Sequence, residues 1–235
     1  IGRPFDNINK VVGSGSEDDR IQGLDSPMVY NITGPDAGTV TVLGATAEFE
    51  GIENLDGGNA ADLFNVHTGG SIRGEIDAKR GNDTLNYRFI NDGSVAVVLQ
   101  TGVASGIGGG VVAGNIGSSI ENVFGGDGNV NVIAGDADDN ILGDGLSQVG
   151  YLFGFEGDDT YRLTPGSSVD ANNLIGGTSN VEISDVSGND TISFSDVDAP
   201  VSNVPGQSSP GYDAGTMLDM DLMGSRQDVS NAGGD

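Results

Sequence analysis

The chain has 235 residues, no Cys and no Trp, and 35 Asp and Glu against nine Lys and Arg, giving a formal net charge of −26. Such an acidic balance repels itself and disfavours nucleic acid and anionic membrane surfaces, which are bound by clustered Lys and Arg. Divalent cations are the favoured counter-charge, and a 36% apolar content, gathered in short regular clusters of Val, Ile, Leu and Phe, argues against disorder of the whole chain.

From the N-terminus, the first turn signal is Ser14-Gly-Ser-Glu-Asp-Asp-Arg-Ile21. Residues 39–43 (Thr-Val-Thr-Val-Leu) predict a strand. The turn signal returns as Gly57-Gly-Asn-Ala-Ala-Asp-Leu-Phe64 and as Arg80-Gly-Asn-Asp-Thr-Leu85. A second strand is predicted over residues 95–99, inside an uncharged stretch, 93–120. That stretch is too broken by Gly, Ser and amides for a membrane helix, so it is expected to form buried rungs. Two turn units then run in tandem, Gly125-Gly-Asp-Gly-Asn-Val-Asn-Val-Ile133 and Ala134-Gly-Asp-Ala-Asp-Asp-Asn-Ile-Leu142. Gly154-Phe-Glu-Gly-Asp-Asp-Thr-Tyr161, a strand at 180–184 and Ser187-Gly-Asn-Asp-Thr-Ile192 follow. Residues 1–197 are read as one repeat-built domain. Residues 198–235, rich in Pro, Gly, Ser and Asp, are read as a linker or the start of another repeat, with Met217-Leu-Asp-Met-Asp-Leu-Met223 as a short strand or helix.

The repeated unit has a simple physical meaning. Gly permits the left-handed backbone of a tight turn, and Asn and Asp cap their own backbone there. The residues that follow, as in Asp83-Thr-Leu-Asn-Tyr87, alternate polar with apolar, which marks a short strand with one face buried. Turn plus short strand, repeated, predicts an all-β parallel solenoid with irregular insertions. Asp62 and Asp83 are 21 residues apart, Asp139 and Asp159 are 20 apart, and Asp19 to Asp62 is 43, about two coils.

These residues resemble the RTX (haemolysin-type calcium-binding) repeat, Gly-Gly-x-Gly-x-Asp-x-apolar-x, most closely at 125–142. Phe49-Glu-Gly-Ile-Glu-Asn-Leu55 and Ser119-Ile-Glu-Asn-Val-Phe124, each leading into a Gly-Gly turn, resemble units of giant bacterial surface proteins. Val130 stands where the RTX pattern has its metal-binding Asp, and Ala60 replaces the middle Gly before Asp62. The resemblance implies calcium between neighbouring coils, held by turn carboxylates and carbonyls. The candidate ligands are Asp62 with Asp83, Asp139 with Asp159, and Asp190, Asp19, Asp127 and Asp136. The bland alternative is that these Asp residues only shape turns.

No catalytic residues are expected. His67 is alone, without Cys or a second His for zinc, and is read as a solvated strand or turn residue. The Gly-rich run at 106–114 has no helix to follow it and is not a dinucleotide fingerprint. No signal peptide is visible, and the sequence reads as part of something longer. The expected role is an extracellular or cell-surface structural or adhesive segment that associates end to end or laterally, with a surface carbohydrate or receptor as a further partner. The alternatives are a calcium-triggered secretion module and a polysaccharide-acting β-helix enzyme.

Overall fold

The computed structural model describes residues 8–112, 120–126, 130–135, 141–143, 149–155, 157–162, 167–168, 179–185, 189–193, 218–222 and 225–229. They form strands throughout, with one short 3-10 turn, Leu99–Thr101. In chain order the strands are β1 (Lys10–Val12), β2 (Arg20–Ile21), β3 (Met28–Gly34), β4 (Ala37–Val42), β5 (Ala45–Glu50), β6 (Asn54–Asp56), β7 (Leu63–His67), β8 (Glu75–Asp77), β9 (Thr84–Phe89), β10 (Ser94–Val98) and β11 (Val103–Ala104). They continue as β12 (Gly110–Val111), β13 (Asn122–Phe124), β14 (Val130–Ala134), β15 (Ile141–Gly143), β16 (Val149–Phe153), β17 (Thr160–Arg162), β18 (Ser167–Ser168), β19 (Ser179–Asp185), β20 (Thr191–Ser193), β21 (Leu218–Leu222) and β22 (Ser225–Val229). The expected strands at 39–43, 95–99 and 180–184 appear as β4, β10 and β19.

The protein is all-β, and its sheets are mixed where a purely parallel arrangement was expected. The first sheet runs β1-β5-β4-β3-β7-β9-β13-β15-β17-β20. From β3 through β7 to β20 every pairing is parallel, whereas β3, β4 and β5 form an antiparallel meander. The second sheet runs β11-β10-β14-β16-β19-β21-β22, parallel except at its two ends. A third, smaller sheet, β12-β8-β6-β2, is parallel throughout. The antiparallel pairs have a local cause: chain inserted between turn signals folds back on the nearest strand, because a hairpin closes with a short turn and a parallel crossover does not. At the β4–β5 tip, Leu43 and Gly44 both take positive φ, 50° and 80°. Such a turn ordinarily carries Asn-Gly, which is why the hairpin had no sequence signal.

Register builds the core. Tyr30, Phe64, Leu85, Val123, Leu142 and Tyr161 are successive partners in the first sheet, and all are buried. Tyr30 and Phe64 stack with ring centroids 4.9 Å apart, close to the strand spacing. Val97, Ile133 and Leu152 form a second buried column, and Leu55, Ile76 and Val111 a third. Column spacing reads out the chain per layer. It is 21 residues from Phe64 to Leu85, and 19 from both Val123 to Leu142 and Leu142 to Tyr161. It lengthens to 34 from Tyr30 to Phe64, where the β4–β5 hairpin is inserted, and to 38 from Leu85 to Val123, where β10–β12 are inserted. Asn31, Asn65 and Asn86 make a polar column beside the apolar one. Asn65 Nδ2 donates to Asn31 Oδ1 at 2.9 Å, and Asn86 Nδ2 to Asn65 Oδ1 at 2.8 Å.

Candidate functional site

The turn carboxylates stand at the entrances to the parallel strands, where successive layers meet. Asp62 precedes β7. Its Oδ1 accepts from the Met28 backbone N–H at 2.8 Å and its Oδ2 from that of Gly58 at 2.7 Å. One layer on, Asp83 Oδ1 accepts from the Asp62 N–H at 2.7 Å. In the next layer Glu121 Oε2 accepts from the Asp83 N–H at 2.6 Å. Further along, Asp190 Oδ1 accepts from the Asp159 N–H at 3.1 Å, and Asp158 Oδ1 from the Asn189 N–H at 2.9 Å. Each carboxylate thus holds the backbone amide of an adjacent layer, a charge-assisted bond stronger than a neutral one.

This places the expected pairs. Asp62 and Asp83 do meet; Asp159, expected to pair with Asp139, meets Asp190, which was a single candidate. Asp139, Asp127 and Asp136 lie outside the described residues. Asp19 does not belong to the column of Asp62, although 43 residues looked like two coils. It precedes β2 in the third sheet, because strands of that sheet also start from such a turn. His67 does lie in a strand, at the end of β7, but is half-buried: it stacks on Phe89 at 4.3 Å, and its buried Nε2 has no hydrogen-bond partner among the described residues. Burial lowers its pKa.

Two glutamates and two asparagines, not among the candidates, hold the turn Asp residues of two different sheets. Glu53 Oε2 accepts from the Asp19 N–H at 3.0 Å, and the Asn54 N–H donates to the Asp19 carbonyl at 3.0 Å. Glu121 and Asn122 repeat this on Asp83, with the Asn122 N–H and Nδ2 both 2.9 Å from its carbonyl. Asn54 Nδ2 also reaches Asp18 Oδ1 at 3.3 Å, as Asn122 Nδ2 reaches Asn82 Oδ1 at 2.6 Å. Ile-Glu-Asn is therefore a clasp for the polar-Asp pair one layer earlier. The motif was visible at 52–54 and 120–122; its partner was not, because 34 residues separate Asp19 from Glu53 and 38 separate Asp83 from Glu121.

Electrostatics differ along the column. Asp83 is fully buried, and its Oδ2 has no hydrogen-bond partner among the described residues. Burial, then the neighbouring Glu121 and Asp62 charges, push its pKa up to about 7, against the opposing Asp62 N–H bond. Burial also raises Asp62, opposed by the Gly58 and Met28 amides. The first layers carry their own cations. Arg20 reaches buried Asp56 and, at 2.8 Å, Glu75. Arg73 spans Asp36 at 2.5 Å and Glu53 at 2.7 Å, both buried. Lys79 bridges Asp77 and, at 3.4 Å, Asp56.

Among the described residues no group of three or more His, Cys, Asp or Glu side chains is arranged to hold a metal ion. No family model, no curated protein and no solved structure matches this chain.

Proposed function

We propose that this chain is a structural or adhesive segment of an extracellular or cell-surface protein, built as a β-solenoid of RTX-like character. The observation that carries the reading is the unbroken parallel run from β3 through β7 to β20, with one buried column from Tyr30 to Tyr161 and carboxylate-to-amide bonds between layers at Asp62, Asp83, Glu121 and Asp190. Stacking of this kind makes a rod whose stability grows by nearest-neighbour contacts, a property suited to spanning distance and presenting a face.

Calcium enters the proposal in the second half of the chain. Residues 113–235 carry 20 Asp and Glu against two Arg, and include the tandem nine-residue sequence units that hold Asp127, Asp136 and Asp139. We place calcium there, with the calcium-triggered secretion module as the second reading. Circular dichroism and electron microscopy of the purified chain, with calcium and with EGTA, test both. The rod reading expects β structure and elongated particles, with calcium adding order. Compact particles in both conditions would contradict it. Particles elongated only with calcium would favour the secretion module.

A further inference from the structure

Three stacked turns, at residues 22–25, 57–59 and 77–80, line an open groove of about 450 Å³. They are in direct contact: the Gly57 N–H donates to the Asp77 carbonyl at 2.8 Å, and the Arg80 N–H to the Gly58 carbonyl at 3.1 Å. A Cβ on Gly58 would overlap the Leu24 carbonyl oxygen, so glycine is what lets these layers close. The side chains on the groove are polar or charged: Gln22, Asp25, Asn59, Asp77, Lys79 and Arg80.

Arg80 sets the site apart. Lys10, Arg20, Arg73 and Lys79 are all bound to carboxylates, and Arg88 lies over the Phe124 ring. Arg80 is exposed on the groove, and among the described residues its guanidinium has no ion pair or side-chain hydrogen bond. That is unusual in a chain of net charge −26. The turn that carries it is held in a costly shape. Lys79 has φ 74°, a conformation that favours glycine, and is tied down by its own N–H to Asp77 Oδ1 at 3.1 Å and its ammonium to Asp77 and Asp56.

We infer that this groove binds a carboxylate-bearing saccharide, with Arg80 pairing its uronate and the amides and carboxylates of Gln22, Asn59 and Asp25 meeting its hydroxyls. A guanidinium fork matches one carboxylate in two parallel bonds. A ligand with a single carboxylate fits best, since the molecule's overall field repels multiply charged anions such as polyphosphates. Apolar ligands and peptides with apolar side chains find no apolar side chain on the lining. The volume falls within the range of small-ligand sites. This deepens the adhesive reading and rests on it.

The test is a titration of the whole chain with an otherwise neutral oligosaccharide carrying a single uronate and with its methyl ester, followed by amide NMR shifts and calorimetry. EGTA is kept present so that calcium cannot bridge the uronate to the acidic chain. We expect saturable binding with shifts confined to the three turns, weakened about tenfold or more by Arg80→Gln and by esterification. Asp92→Asn, away from the groove, should leave it unchanged. No saturable shift at millimolar sugar overturns the inference. So does equal binding of the ester or of the Arg80→Gln chain, or preferential binding of an acidic peptide. An unchanged melting curve for Arg80→Gln shows that the fold is intact. A negative titration with an intact fold then removes this site alone, whereas loss of rods in the microscope removes the reading beneath it.

Discussion

The two halves of the chain face one electrostatic problem with different means. Residues 1–112 hold seven Lys and Arg against 15 Asp and Glu, a net of −8; residues 113–235 hold two against 20, a net of −18. In the first half Arg20, Arg73 and Lys79 each bind two carboxylates, and most of these pairs join different layers. The second half has too few cations to do the same. Turn carboxylates stacked at strand spacing repel one another unless paired, protonated or bridged. The contrast teaches that a common backbone pattern can be neutralised from within at one end and, in our reading, by calcium at the other.

The sharpest break in the comparison is apolar. Phe64→Ala removes a fully buried ring stacked on Tyr30 and should cost about 3–5 kcal/mol. Urea unfolding should give the same loss with calcium as with EGTA, because the site belongs to the self-neutralised half. A loss that depends on calcium would erase the distinction between the halves.

Asp83 gives the next effect and a sign. Its folded pKa, about 7, lies above the ordinary carboxyl value of 3.8, so the folded state binds more protons between those values. The stability this contributes is full below about pH 4 and is lost as pH rises through about 7. Asp83→Asn keeps the Oδ1 acceptor for the Asp62 N–H and removes the charge. The variant should gain on the parent by a few kcal/mol at pH 8 and little at pH 4. A variant that loses stability at pH 8 would mean that the ionised carboxylate is needed there.

Smaller effects come from the cations. Arg20→Ala withdraws one partner from buried Asp56 but leaves Lys79, so about 1–2 kcal/mol is expected, reduced at high salt. Lys10→Ala breaks a fully solvated pair with Glu50 and should leave the melting temperature unchanged. A large loss there would mean that surface charge matters even at the meander edge.

What could be read beforehand follows from how local the signal was. Asp62 and Asp83 were legible as neighbours in adjacent layers because nothing but one short layer separates them. The Glu53 and Glu121 clasps escaped because insertions stretch their layers, and because the turn signal was read from Asp and Asn rather than Glu. The β3–β4–β5 meander escaped because Leu43 occupies a turn position where Asn is the usual flag. His67 looked like a fully solvated residue because its partial burial depends on Phe89, 22 positions away and brought alongside by register.

Amide hydrogen exchange on the whole chain, in calcium and in EGTA, addresses the contrast between halves most directly. Our account predicts that calcium raises protection in the amides of 130–193 and leaves those of 28–89 unchanged. Equal responses in both stretches, or none in either, would contradict it.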